Sequence, residues 1–236
     1  MPRQARYWAV IPAAGSGTRM QAEIPKQYLR VNGRCILEHT LEIFCSHPAI
    51  TGVVVVLAAT DEHWQALPGI VHAKVMTAPG GAERFNSVLN GLRFLQQHAD
   101  ADDWVLVHDA VRPCLRHADI DLLLEKLQDH PVGGLLALPV RDTMKRANAA
   151  GEIVETVSRS GLWHALTPQM FRLAMLERAI ERAIAESIPI TDEAQAIELC
   201  GHRPLLVQGR GDNIKITQRD DLPLAELFLA NKEQST

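Results

Sequence analysis

The stretch Val10-Ile11-Pro12-Ala13-Ala14-Gly15-Ser16-Gly17-Thr18-Arg19-Met20, followed shortly by Pro25-Lys26-Gln27, decides how the rest of the chain is read. An apolar run from Tyr7 to Ile11 feeds a loop of small residues. Without bulky side chains, backbone N–H groups of such a loop can approach an anion closely. Arg19 and Lys26 then stand where a polyphosphate needs its charge neutralised. The alternative is an ordinary tight turn after a strand. The loop is not a Walker A sequence, because Gly17 is followed by Thr18-Arg19 rather than by Lys and Ser or Thr. It is also a poor dinucleotide fingerprint, because Met20 takes the place of the third small residue.

Working outward, apolar runs alternate with helical patterns. Tyr7–Ile11, Gly52–Ala58, Val71–Thr77, Trp104–His108 and Gly133–Leu138 read as strands. Val53-Val54-Val55-Val56-Leu57 is the clearest, a continuous run of the type buried on both faces of a sheet. Phe85, Val88, Leu89, Leu92 and Leu95 recur at helical spacing, as do Ile120, Leu123, Leu124 and Leu127. Helices are also expected over Phe171–Glu186, Glu193–Cys200 and Leu222–Ala230, and strands over Leu205–Gln208 and Asn213–Ile216. This β-α-β order implies an α/β fold with a mostly parallel sheet and helices on both faces. Ligands in such folds sit beyond the carboxyl ends of the strands. The first loop, the Gly80-Gly81 turn and His108-Asp109 all follow strands and are expected to converge on one edge.

From Arg141 to Leu166 the rhythm breaks. Asn148-Ala149-Ala150-Gly151 reads as a turn between short runs at Thr143–Ala147 and Glu152–Ser158, so a β-hairpin arm is expected at about 141–166. An isolated hairpin buries little. Either it folds back on its own domain or it packs on a second subunit, and the homodimer is the natural expectation.

The chain has 236 residues, 47% of them hydrophobic, and a formal net charge of -4. That length suits one large domain spanning 1–236. The acidic balance argues against broad nucleic-acid binding. Cys35, Cys45, Cys114 and Cys200 are scattered, which fits reduced thiols in the cytoplasm better than a disulfide framework. Arg3 and Arg6 precede an apolar run too short, and too broken by Pro12 and Gly15, for a signal peptide. No run is long enough to span a bilayer.

Asp109 ends a strand, a good place for a carboxylate that binds Mg²⁺ together with substrate phosphates; a helix cap is the alternative. Arg112 follows, placed to pair with Asp109 or to contact the site. His108 reads as a packed strand-end residue. Gly80-Gly81 leads into Arg84 and Ser87, three apart on one helical turn, where they can bracket an anion or a base edge, or simply cap the helix. Arg141, Lys145, Arg146 and Arg159 make the arm basic, and Lys215 lies in a polar loop as a further phosphate contact. Thr191-Asp192-Glu193 reads as a helix cap. No zinc spacing and no Gly-x-Ser-x-Gly elbow is present.

Five segments together resemble one family. They are 12–20 with Pro25-Lys26-Gln27-Tyr28, then Val107-His108-Asp109-Ala110-Val111-Arg112-Pro113, and Pro139-Val140-Arg141-Asp142-Thr143-Met144-Lys145-Arg146. The others are Leu162-Trp163-His164-Ala165-Leu166-Thr167-Pro168-Gln169 and Asp212-Asn213-Ile214-Lys215. The chain is similar over essentially its whole length to the 2-C-methyl-D-erythritol 4-phosphate cytidylyltransferases. The resemblance implies a Rossmann-like nucleotidyltransferase domain with the arm exchanged in a homodimer. It implies a reaction of CTP with methylerythritol phosphate in the non-mevalonate isoprenoid pathway. By the same resemblance, Arg19 and Lys26 neutralise the triphosphate, Arg159 and Lys215 hold the incoming phosphate, and Asp109 binds Mg²⁺. Pro12, Ala13, Ala14, Gly15, Gly17, Gly81, Arg84 and Ser87 match the nucleotide pocket. Asp109, Arg112 and Thr143 are further substrate contacts, Thr143 from an arm. Ala82 departs from members with Asp in the Gly-Gly-x-Glu-Arg loop, so base recognition there falls to backbone groups and Ser87. Alternatives are a cytidylyltransferase for another polyol phosphate such as ribitol 5-phosphate, a non-catalytic nucleotide-binding regulator, and a hydride-transferring enzyme.

Overall fold

The computed structural model describes residues 6–15, 24–67 and 72–233. Strands are β1 (Tyr7–Pro12), β2 (Arg30–Val31), β3 (Arg34–Cys35), β4 (Ile50–Leu57), β5 (Val75–Pro79), β6 (Trp104–Val107), β7 (Gly133–Pro139), β8 (Met144–Ala147), β9 (Ile153–Val157), β10 (Trp163–Arg172) and β11 (Leu205–Gln208). Helices are α1 (Ile36–Ser46), α2 (Arg84–Leu95), α3 (His117–Leu127), α4 (Leu173–Ala185), α5 (Glu193–Leu199) and α6 (Asp221–Glu233).

Seven strands form one sheet in the order β11-β7-β10-β6-β1-β4-β5. All neighbours pair in parallel except β10, which runs antiparallel to both β6 and β7. The period of two explains the three layers. Ala9 and Ile11 of β1, Val53 and Val55 of β4 and Leu106 of β6 face one way, into a core with Leu37, Leu41 and Phe44 of α1 and Ile120, Leu123 and Leu127 of α3. Trp8, Val10, Val54, Val56, Val105 and Val107 face the other way, against α2, α4 and α5. The valine run of β4 is thus apolar at every position because neither face meets water. Gly91 lets α2 lie close to the sheet: a Cβ there would sit 2.8 Å from Val10 Cγ1 and 2.9 Å from Val56 Cγ2.

Three expectations are corrected. The segment Trp163–Arg172 is a central strand, so the arm ends before it and α4 starts at Leu173 rather than Phe171. Pro168 disguises this strand, since proline removes a ladder donor and argues against a central position. The sheet accommodates it where the register with β7 shifts between Ala165 and Gln169. Asn213–Ile216 is not a strand but an irregular segment. It is pinned by Asn213 Nδ2 donating to the Thr167 carbonyl (2.8 Å) and by the Ile216 N–H donating to the Val111 carbonyl (2.9 Å). The third strand is displaced, running Val75–Pro79; Val71 lies outside the described residues.

The parallel arrangement delivers the loops after β1, β4, β5, β6 and β7 to one edge. The arm leaves from that edge too. Val140 donates to the Leu162 carbonyl at its base (2.9 Å), and β8 and β9 pair as an antiparallel hairpin beyond it. Among the described residues, no helix is long and apolar enough to cross a membrane.

Candidate active site

A cleft of about 450 Å³ opens at this edge. Its lining comes from the loop after β1 (Pro12, Ala13, Ala14, Gly15), from Lys26 and Gln27, from the β5–α2 turn (Gly81, Ala82, Glu83, Arg84, Ser87), from Asp109, Ala110 and Val111 after β6, and from Lys215 and Thr217. Backbone bonds fix the first wall: Ala13 N donates to the Val56 carbonyl (2.8 Å) and Gly80 N to the Leu57 carbonyl (2.7 Å). Gly80 must be glycine for the loops to meet, because a Cβ would lie 2.4 Å from Ala14 Cβ. The buried Gln27 amide donates to the carbonyls of Ala13 (2.7 Å) and Gly15 (3.3 Å), tying the short turn that carries Lys26 to the first loop. In the β5–α2 turn, Ser87 Oγ donates to the Glu83 carbonyl (3.2 Å) and accepts from Gly81 N (3.1 Å).

Asp109 is the hub. Its Oδ1 accepts from Arg84 Nε at 3.3 Å; its Oδ2 accepts from Arg112 Nε at 3.1 Å and faces Lys215 Nζ at 3.1 Å. Burial pushes the carboxyl up, but the charges of Arg84, Lys215 and Arg112 outweigh burial and hold it well below the usual carboxylate range. Asp109 is therefore an anion at any pH near neutrality. Beneath it, Thr167 Oγ1 accepts from Asp109 N (3.2 Å) and lies 2.9 Å from His108 Nδ1. His108 Nε2 lies 3.1 Å from the Arg112 carbonyl, an acceptor, so the proton is on Nε2 and Thr167 donates to Nδ1. Burial lowers the His108 pKa to about 4, which keeps this ring neutral. His108 is a packed strand-end residue, as its sequence position suggested.

The structure brings Pro12, Ala13, Ala14, Gly15, Lys26, Gly81, Arg84, Ser87, Asp109 and Lys215 to one cleft. Arg112 does not line it: the side chain is buried, with Nε on Asp109 and Nη1 donating to the Asn213 carbonyl (2.8 Å). It supports Asp109 and anchors the segment that carries Lys215. Thr143 and Arg159 lie on the exposed arm and are not among the lining residues; Arg159 donates to the Arg141 carbonyl. Arg19 and Gly17 lie outside the described residues.

Two residues escaped the sequence reading. Gln27 is one, since a Gln two residues after a Pro carries no signal for bonding back to residues 13 and 15. The helix cap expected at Thr191-Asp192-Glu193 is present, but the role of Glu193 carries no local signal. Asp192 is the cap, accepting from Gln195 N, while Glu193 crosses to grip Arg84, with Arg84 Nη1 at 2.6 Å and Nη2 at 3.3 Å. The partners are 109 positions apart, so no local pattern announces them.

Three cations against two carboxylates leave this cluster positive, with Lys26 bordering the same cleft. Such a site binds a polyanion and stabilises negative charge that builds up in it. Comparison with known proteins gives the family. The family model for 2-C-methyl-D-erythritol 4-phosphate cytidylyltransferase matches residues 7–231. The chain belongs to this family. Cytidylyltransferases of that name from Vibrio vulnificus (strain CMCP6) and Ectopseudomonas mendocina are 53% and 56% identical to it. The alignments cover 95% of both chains for the former, and 92% of this chain and 93% of the relative for the latter. A crystal structure of a 4-diphosphocytidyl-2C-methyl-D-erythritol synthase superposes with a TM-score of 0.84 and 39% identity, over 96% of this chain and 100% of that one. The cytidylyltransferase from Francisella tularensis gives 0.83 and 36%, over 95% and 100%. Ala82 lines the cleft and brings no carboxylate there.

Proposed function

We propose that this protein joins CTP and 2-C-methyl-D-erythritol 4-phosphate, giving 4-diphosphocytidyl-2-C-methyl-D-erythritol and pyrophosphate in the non-mevalonate route to isoprenoid precursors. The observation that carries the proposal is the cleft at the carboxyl edge of the sheet, where Arg84 and Lys215 meet an ionised Asp109 and Lys26 borders the same space. An oxygen of the alcohol phosphate attacks the α-phosphorus of CTP in line, and pyrophosphate leaves. Both reactants are anions, so the barrier is dominated by repulsion and by charge on the leaving group. Lys26, together with Arg19, neutralises the triphosphate. Lys215 and Arg159 hold the attacking phosphate, and no protein nucleophile is required. Small residues at 13–15 keep the base pocket open to a pyrimidine. Ser87 Oγ has one lone pair left after its two bonds in the turn. That lone pair suits the exocyclic amine of cytosine, which uracil lacks.

Among the described residues no group of three or more His, Cys, Asp or Glu forms a metal cage. That fits Mg²⁺, which commonly takes one carboxylate and fills its remaining positions with phosphates and water. Asp109 is ionised, and three contacts on two oxygens leave one of about four acceptor positions open. A Mg²⁺ ion held there would supply Lewis-acid withdrawal of charge from the phosphates. Asp109 would hold the metal, with Arg112 fixing its carboxylate and Thr167 its backbone N–H.

The arm is the proposed homodimer contact. Ile153 and Val154 are 65% and 63% exposed, Met144 and Leu162 are further exposed apolar residues of the arm, and Trp163 at the start of β10 is exposed beside its base. An apolar hairpin in water is stabilised by covering that surface. Thr143 and Arg159 reach a cleft through this exchange. The compartment proposed is the cytoplasm, where the four free cysteines stay reduced.

Pyrophosphate release with a panel of nucleotides and alcohol phosphates tests the activity. CTP with methylerythritol phosphate should give the fastest release, and chelation of divalent cations should abolish it. Activity with ribitol 5-phosphate alone overturns the substrate; release unaffected by chelation overturns the metal.

A further inference from the structure

Glu193 is a carboxylate almost wholly withdrawn from water, with its side chain only 1% exposed. A buried charge is costly unless paired. Its partner, Arg84, is 30% exposed and borders the cleft. The guanidinium is held on two sides, with Nε on Asp109 and Nη1 and Nη2 on the two oxygens of Glu193. Three of its five N–H groups are thus occupied, and two remain. The clamp is itself braced: Gln169 in β10 accepts from Ala194 N (2.8 Å) and donates to Asp192 (3.0 Å), fixing the start of α5 to the central sheet.

We propose that Glu193 is a positioning residue for nucleotide binding, acting through Arg84. A free arginine samples many rotamers and loses that freedom when it grips a ligand. Arg84, clamped from two directions, has surrendered it during folding, so its two remaining N–H groups meet the nucleotide already aimed. Glu193 also relieves Asp109 of sole responsibility for Arg84. This inference rests on the reading of the Ala13–Ala14, Gly81–Ser87 wall as the nucleotide side of the cleft; the attacking phosphate belongs to Lys215 and the arm.

The test is Glu193→Gln, which keeps the reach and one acceptor oxygen but not the charge or the fork. CTP binding is read by calorimetry and KM for each substrate by pyrophosphate release. Loss of a charge-assisted fork should raise both Kd and KM for CTP by about tenfold, with KM for the alcohol phosphate changed by less than about twofold. In an Arg84→Ala background, Glu193→Gln should cost nothing further. Equal rises in both KM values, additive losses in the double variant, or unchanged CTP affinity overturn the proposal. Thermal unfolding monitors the fold. Should Glu193→Gln not fold cooperatively, Arg84→Lys, which keeps charge but cannot take the fork, must show the same selective loss, and CTP affinity equal to wild type overturns the idea. Wild-type protein that binds no CTP overturns the nucleotide reading and this inference together; normal wild-type binding with an unaffected Glu193→Gln overturns the inference alone.

Discussion

At the scale of single residues, the site depends on charges placed against one another at about 3 Å. Asp109 is a carboxylate with three cations, and its ionisation is secured by them rather than by water. Lys26 differs. It sits at the start of a short turn that Gln27 ties to the first loop. Removing the Lys26 side chain should therefore disturb chemistry more than folding. Lys26→Ala should lower kcat/KM by roughly 100-fold or more, the magnitude associated with one electrostatic contact to a transition state, while the melting temperature stays close to wild type. Kinetics and thermal unfolding on the same preparation check this, and unchanged turnover removes Lys26 from the machinery.

At the scale of elements, function depends on how closely helices and loops approach the sheet. Gly91 on α2 faces Val56 of β4 and Val10 of β1, and β1 ends in a loop that walls the cleft. A methyl group at 91 has no room, and both valines are buried among rigid strands. Gly91→Ala should thus destabilise the protein by about 1–3 kcal/mol despite alanine's better helix propensity. Equilibrium denaturation measures the balance; a stabilised variant means that α2 shifts freely. Such a shift would carry Arg84 with it, because Arg84 begins the same helix. The irregular segment around Lys215 shows the complementary strategy. It owes its position to the Arg112, Thr167 and Val111 contacts rather than to a ladder.

At the scale of the whole molecule, the parallel sheet concentrates the loops on one edge and sends the arm away from it. One chain holds Lys26 and Lys215 in its cleft, while Thr143 and Arg159 sit on exposed hairpin surface. If the arm of one protomer completes the cleft of its partner, two separately inactive variants should rescue each other. Arg159→Ala is expected to cost about 2–4 kcal/mol of transition-state stabilisation. Mixed with Lys26→Ala and allowed to exchange subunits, it should regain about one quarter of wild-type activity, since half the dimers are mixed and each has one intact site. No recovery after verified exchange means that Arg159 serves its own chain.

The sequence by itself determined what depends on local pattern. Period-two and period-3.6 burial announced the layered sheet, the small-residue loop announced close backbone approach, and the order of strands placed three loops at one edge. The same logic marked the arm, because a turn flanked by short runs is a hairpin wherever it occurs. Tertiary structure alone decided what depends on distant partners. It made β10 a central strand despite Pro168, because long-range pairing with β6 and β7 outweighs one missing donor. It turned Arg112 inward to hold Asp109, and it carried Glu193 across 109 positions to clamp Arg84. A charge declares its presence in the sequence, but what it neutralises is set by which side chains folding brings within about 3 Å.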